Sequence, residues 1–277
     1  MQIRGHDIAV CSWSLRAKDL GELVSSLRQL GLRHVQLALS PLLNLDEEQR
    51  KRQIDQLRAA NIEITAGMMS FPGEDYSTIA MIRRTGGFVP DDSWEARQER
   101  AIAGGKLAAE LGIKGVTAHI GFVPKSSDNA YATIAQRVCT IADAWGADGI
   151  ELHMETGQEP APELLQFLND LRCRNVGINF DPANMILYGA GDPIDAIRTL
   201  GRHIRHVHVK DATISDRPGT NWGKEVPFGT GQVPPRQFLT ALEEVGYKGP
   251  LAIEREAGDD RVGDIRTAIE TLKSLEA

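Results

Sequence analysis

The chain has 277 residues, 42% hydrophobic and 25% charged, with a formal net charge of -7 and a pI near 5.6. That balance suits a soluble globular protein and gives no general attraction to nucleic acid or to an anionic membrane. The opening segment MQIRGHDIAVCSWSL has no long apolar run, so neither an export signal nor a membrane span is expected.

In chain order, strands are predicted near 7–13, 34–39, 62–67, 115–120, 149–155, 176–181, 204–209 and 250–255. Helices are predicted near 17–30, 46–60, 94–111, 128–146, 161–173, 192–200, 235–245 and 260–275. Three stretches, LGLRHVQLAL, LGIKGVTAHI and WGADGIELHM, each put a glycine where a helix should stop and a β-rich run should begin. Alternating strands and helices imply a parallel sheet, and eight such units in one domain is the count of a (β/α)8 TIM barrel. A doubly wound open sheet is the rival, but the first turn, CSWSLRAKD, lacks the glycines that fold usually carries there. Two long connections, 68–93 and 210–234, follow strand ends at the face where barrels build active sites, and ordered substrate loops are expected there. Cys11, Cys139 and Cys173 lie far apart and form no C-x-x-C pair, so free or buried thiols in a reducing cytoplasm are expected.

Side chains along a strand alternate between faces. In IRHVHVKDA, Val207 and Val209 take one face, while His206, His208 and Lys210 take the other. The same separation puts Glu151, His153 and Glu155 together on strand 5, Asn179 and Asp181 on strand 6, Thr117 and His119 on strand 4, and Glu254 on strand 8. The apolar faces must meet the helices, so these polar faces point into the barrel. Buried carboxylates need partners or a metal. Glu155, Asp181, His208 and Glu254 recur at the C-terminal ends of four consecutive strands, which makes a candidate site for one divalent ion. Hard oxygen donors with one imidazole favour Mn²⁺ or Mg²⁺ and admit Co²⁺, Fe²⁺ or Zn²⁺. Taken singly, each residue reads equally well as a salt-bridged core group.

At these residues, and over essentially the whole chain, the sequence resembles the xylose-isomerase-like barrel family of sugar-phosphate isomerases and epimerases, ketose 3-epimerases and inosose-processing enzymes. The resemblance rests on CSWSL, ELHMETG, NFDPANMILYGAGDP, HVHVKDA, VPFGTGQV and AIERE. It implies that Glu155, Asp181, His208 and Glu254 hold one metal, and that Glu155 and Glu254 also move protons beside a substrate carbonyl. The sequence departs from the pattern in three places. Asn184 stands where epimerases often carry a histidine, Thr156-Gly157 follows Glu155 where some relatives have Asn-His, and Ile214 replaces a substrate-binding arginine.

Other residues carry two readings each. His119 contacts substrate or makes a structural hydrogen bond. Asn184 stands ready to bind a hydroxyl. Lys210 holds a substrate oxygen or pairs with a neighbouring carboxylate. Trp13 and Trp222 flank a sugar ring, although Trp13 serves equally as core. Asp211 is expected to orient His208 from behind. His206 and His153 read as core polar partners, and GEDYST either covers the site or simply turns the chain. FGTGQ looks like a phosphate cradle but lacks the following βαβ helix start.

The function expected is a divalent-metal-dependent isomerase or epimerase of a sugar, sugar phosphate or keto-polyol acting through an enolate, with no nucleic-acid or membrane partner and pairing into a homo-oligomer left open. A lyase or dehydratase acting on an inosose or a 3-keto-glycoside at the same site is the first alternative. A sugar-binding protein without turnover is the second. An endonuclease IV-like enzyme, which needs three metals, fits poorly with seven histidines and a net charge of -7.

Overall fold

A computed structural model describes residues 1–276. Eight parallel strands close into a barrel: β1 His6–Cys11, β2 His34–Ala38, β3 Glu63–Met69, β4 Gly115–Ala118, β5 Glu151–Glu155, β6 Val176–Phe180, β7 Ile204–Val209 and β8 Leu251–Ile253. Each pairs with its neighbour in sequence, and β8 pairs with β1 to complete the circle. After the strands come α1 Leu20–Gln29, α2 Glu47–Ala59, α3 Trp94–Glu110, α4 Ala130–Gly146, α5 Ala161–Asp170, α6 Pro193–Leu200, α7 Pro235–Glu244 and α8 Arg261–Lys273. The fold is the expected (β/α)8 barrel. Among the described residues no helix is long and apolar enough to cross a membrane.

Local chemistry sets the element ends. Asp19, Asp46, Asp192 and Asp260 cap α1, α2, α6 and α8 by accepting backbone N–H bonds of the first turn. The apolar strand faces meet the helices in one continuous core, with Val10, Val35, Val116, Leu152, Ile178, Val207 and Leu251 at or near zero exposure.

The opposite faces fill the barrel with polar groups that satisfy one another. His206 Nδ1 lies 2.7 Å from Asn179 Oδ1, and its Nε2 lies 3.0 Å from Thr65 Oγ1. Gln36 Nε2 donates to Thr117 Oγ1 at 3.0 Å. His153 sits lower, against Glu151 at 3.2 Å. His206 and His153 are therefore core partners, as read from the sequence.

Three features differ from expectation. Strand β1 stops at Cys11, and Ser12–Leu15 turns as a 3₁₀ helix, so Trp13 projects from a turn rather than a strand. The long connections hold structure of their own: a helix at Ile79–Thr85 in the first, and an antiparallel pair, Asp211–Thr213 with Lys224–Val226, in the second. The expectation of three free thiols is corrected, because Cys139 and Cys173 form a disulfide with Cα atoms 5.3 Å apart. Helices α4 and α5 are neighbours in the outer ring, where Tyr131 packs edge-on against Phe167 and donates to Asp170. That packing brings together two cysteines separated by 34 positions. Cys11 remains a free, buried thiol.

Candidate metal centre and substrate cavity

At the C-terminal mouth of the barrel, Nδ1 of His208 lies 3.3 Å from Glu155 Oε1, 3.4 Å from Asp181 Oδ2 and 3.3 Å from Glu254 Oε2. All four side chains are buried, and each offers a donor atom within 4.8 Å of the others. Sequence alternation selected this same set.

Strand register explains the convergence. Glu155 pairs with Asn179, Asn179 with His206, and His208 with Ala252. Each donor except His208 is the residue that ends its strand or lies one step past it. Asp181 also caps the short helix Pro182–Tyr188, its Oδ1 accepting from the Asn184 backbone at 2.9 Å. That bond fixes the carboxylate and leaves Oδ2 facing His208. Gly157, with φ of +135°, passes so close to Asn184 that a Cβ there would lie 2.3 Å from the Asn184 Cβ. The close approach lets Asn184 Nδ2 donate to Glu155 Oε1 at 3.1 Å.

The charges are balanced by two cations. Lys210 Nζ lies 2.7 Å from Glu254 Oε2, 2.8 Å from Glu256 Oε2 and 3.7 Å from Asp181 Oδ2. Burial opposes its charge, but Glu254, Glu256 and Asp181 outweigh that and hold the ammonium well above its ordinary pKa. Burial likewise opposes protonation of His208, yet Glu254 and Glu155 raise it well above the usual imidazole value. Burial works to raise Asp181 and Glu254, and Lys210 with His208 keeps both below the ordinary carboxyl range.

The donor set fits a divalent cation. Three carboxylates surround one imidazole nitrogen, and Glu155 Oε2 and Glu254 Oε2 are buried without a hydrogen bond of their own. The short Lys210–Glu254 contact lacks hydrogen-bond geometry, so that oxygen still has a free lone pair.

The structure corrects the role expected of Asp211. Its carboxylate does not reach His208. It accepts instead from the backbones of Gly229, Gly231 and Val233 at 2.8–3.0 Å. Those bonds shape the FGTGQ loop and fill its nest of N–H groups, which leaves no phosphate cradle there. The group behind His208 is Gln36, whose Oε1 lies 2.6 Å from His208 Nε2. Gln36 was missed, although the alternation rule applied to β2 places it on the inward face.

Above the donors opens a cavity of about 520 Å³. Trp13, His119, Asn184, Lys210 and Trp222, the five residues expected to touch substrate, all line it. Trp13 Nε1 donates to Glu254 Oε1 at 2.7 Å, and His119 Nε2 lies 3.2 Å from Glu155 Oε2. Trp222 arrives on the second long connection and donates to the Tyr76 carbonyl of the first at 3.1 Å, so the two loops meet over the cavity. The first loop is held by buried Arg97, which donates to the Gly87 and Pro72 carbonyls. Gly87 in turn lies against the His119–Gly121 turn, where a Cβ would lie 2.1 Å from Ile120. Sequence reading also missed Glu256, Tyr188 and Met68 on the cavity wall. Glu256 lies on a loop, Tyr188 ends the short helix Pro182–Tyr188, and Met68 lies near the end of β3 beyond the predicted strand.

These features define a polar barrel mouth with a buried set of possible metal donors beside a cavity. The chain belongs to the xylose isomerase-like TIM barrel family, whose model matches residues 24–275. It is similar to a xylose isomerase domain protein from Planctomyces limnophilus, at 34% identity over 98% of this chain and 96% of that one, with a TM-score of 0.88. It shares the fold of D-psicose 3-epimerase from Clostridium cellulolyticum H10 at 15% identity over 98% and 99% of the two chains, with a TM-score of 0.73. Inosose dehydratase from Lacticaseibacillus casei is 22% identical over 56% of this chain and 56% of its own length. The chain spans about half the length of the curated relatives it matches.

Proposed function

We propose that the chain is a divalent-metal-dependent isomerase or epimerase of a sugar or keto-polyol, acting by proton transfer at the carbon beside a carbonyl. The observation that carries this is the meeting of three buried carboxylates on one imidazole nitrogen, with one of them, Glu254, lining a cavity. Glu155, Asp181, His208 and Glu254 would hold the ion, with Mn²⁺ or Mg²⁺ favoured by the hard donors. When bound, a divalent ion supplies Lewis-acid stabilisation of the negative charge that develops on substrate oxygens.

The chain's own groups supply the rest. Glu155 and Glu254 are the proton carriers, each with an oxygen free of hydrogen bonds. Trp13 fixes the other oxygen of Glu254, and Asn184 that of Glu155, so each carboxylate is held in one orientation. His119, next to Glu155, takes or returns a proton at the same oxygen. Lys210 offsets negative charge at Glu254 and Asp181. The two loops that meet at Trp222 and Tyr76 limit water at the site.

A second reading, elimination of a hydroxyl or alkoxide from the same ketone, draws on His119 and Lys210, two nitrogen donors on the wall that can protonate a leaving oxygen. Proton NMR in D₂O with Mn²⁺-loaded protein tests both. The panel holds ketoses, inososes and ring-ketone glycosides. Exchange of the proton beside the carbonyl, lost in Glu155→Gln and in Glu254→Gln, supports the reading, and an isomer or an enone product chooses between its two forms. No exchange across the panel, with metal bound, removes it.

A further inference from the structure

A second set of donors overlaps the first. Cys11, His208 and Glu254 are buried, and each offers a ligand atom within 4.8 Å of the others. Resting on the proposed metal site, we infer that these three residues form a thiolate-bearing position for a thiophilic divalent ion such as Zn²⁺ or Cd²⁺, and that such an ion displaces a hard ion by taking His208 and Glu254 from it.

The setting of Cys11 is the first observation. It ends β1 and is fully buried, yet it stands apart from the continuous core, in a small cluster with Ala9, Ala252 and Trp13. Ala252 pairs in register with both Ala9 and His208. The Cys11 Sγ lies 3.4 Å from Gln36 Oε1, the same oxygen that faces His208 Nε2 at 2.6 Å. A free buried cysteine usually serves as a small hydrophobe. This sulfur instead has an amide oxygen, an imidazole and a carboxylate around it.

Glu254 is the second observation. Its Oε2 is buried without a hydrogen bond, while Oε1 is held by the Trp13 indole at 2.7 Å. The Trp13 ring also packs edge-on to His208, with centroids 6.1 Å apart. One aromatic side chain thus touches all three members of the set.

The choice of ion follows from the donors. Glu155, Asp181 and Glu254 offer hard oxygens, whereas a thiolate is soft and selects ions such as Zn²⁺. One thiolate, one imidazole and one carboxylate, with a fourth position open, is a donor number that Zn²⁺ accepts. Burial raises the Cys11 pKa to about 12, so the ion-free chain carries a thiol. A coordinated cation deprotonates a thiol outright. The S–H bond breaks, its proton leaves to solvent, a sulfur lone pair binds the ion, and no oxidation state changes. His208 and Glu254 belong to both sets, so an ion held through Cys11 leaves a hard ion with Glu155 and Asp181 alone.

The test is a Cd²⁺ titration of the full, Mn²⁺-loaded chain without reductant. Cys139 and Cys173 then stay bridged, and Cys11 is the free thiol. Ultraviolet difference absorption reads the sulfur-to-cadmium charge-transfer band, and electron paramagnetic resonance reads released Mn²⁺. The parent chain should develop the band and release Mn²⁺ in step with it. Cys11→Ser should lose the band, bind Mn²⁺ as the parent does, and need more Cd²⁺ to release it. Cadmium NMR of the parent chain, in which a sulfur ligand moves the resonance downfield, gives the same answer without a variant. Absence of both the band and the downfield shift, a band that survives in Cys11→Ser, or a band that forms while Mn²⁺ stays bound overturns the inference. Failure of the hard-ion reading shows separately, as a parent chain that takes up no Mn²⁺, and the Cd²⁺ band alone then decides for or against the thiolate position.

Discussion

Gln36 Oε1 and His208 Nε2, on strands β2 and β7, face each other at 2.6 Å across the fully buried barrel interior. The contact fixes the imidazole's role. With Nε2–H donated to Gln36, Nδ1 is the nitrogen directed at Glu155, Asp181 and Glu254, and a bound divalent ion would take the place of its proton. Groups behind a metal-ligating histidine set its tautomer and its basicity. Gln36→Leu should therefore weaken divalent-metal binding by about 10- to 100-fold. Competition against a chelator reads this directly. Unchanged affinity in a folded variant would show that Gln36 serves the core alone.

The barrel was legible because its signal repeats. Glycines at helix ends and alternating strands recur along the whole chain, and the predicted helices match α1 to α8 to within a few residues. Glu155, Asp181, His208 and Glu254 were legible for the same reason, since alternation fixes direction on a strand. Where the chain leaves a strand, that rule stops. Asp211 stands three residues after His208, in the short pairing Asp211–Thr213, and its carboxylate turns to the FGTGQ backbone. Tyr76 and Glu256 reach the cavity from loops whose paths depend on distant anchors, Arg97 for the first and Glu225 for the second. The Cys139–Cys173 bridge depended on which helices are neighbours, and no local spacing encodes that.

Gly157 gives a steric test of the site. A methyl group at this position would lie 2.3 Å from the Asn184 Cβ, and its φ of +135° is one that residues with a Cβ rarely adopt. Gly157→Ala should move Asn184 away from Glu155 and destabilise the fold by about 2–4 kcal/mol. Chemical denaturation measures the loss. Asn184→Ala, which removes the same contact without the clash, should keep most of the stability and lose activity. Equal destabilisation by both would make the Asn184–Glu155 bond structural.

The disulfide predicts a redox-dependent stability. Cys139 and Cys173 close a segment of 34 residues, and the chain-entropy relation puts such a cross-link at about 4 kcal/mol before any native-state strain. Reduction should lower the unfolding midpoint by an amount set by a loss of about 2–4 kcal/mol. Cys139→Ala should start at the reduced value and ignore reductant. A midpoint that is the same with and without reductant in the parent chain would mean that the two thiols stay apart in solution.

Glu159 supplies a pH-dependent term outside the donor cluster. Its side chain is buried, and its Oε1 accepts from the Val123 backbone at 2.7 Å, close behind the His119–Gly121 turn. Burial raises its pKa from 4.5 to about 8, against the smaller opposing effect of the Val123 bond. A carboxyl raised in the folded state stabilises fully below its unfolded value. That stabilisation is lost as pH rises from the ordinary carboxyl range through about 8, and is constant above it. Glu159→Gln keeps an acceptor for Val123 and removes the titration. The variant should match the parent chain near pH 5 and exceed it near pH 9 by a few kcal/mol at most, since one pKa unit corresponds to about 1.4 kcal/mol. Urea unfolding of both chains across this range checks the sign. A gap that widens toward low pH, or a parent chain more stable than the variant at pH 9, would mean that Glu159 is ionised and paired in the folded protein.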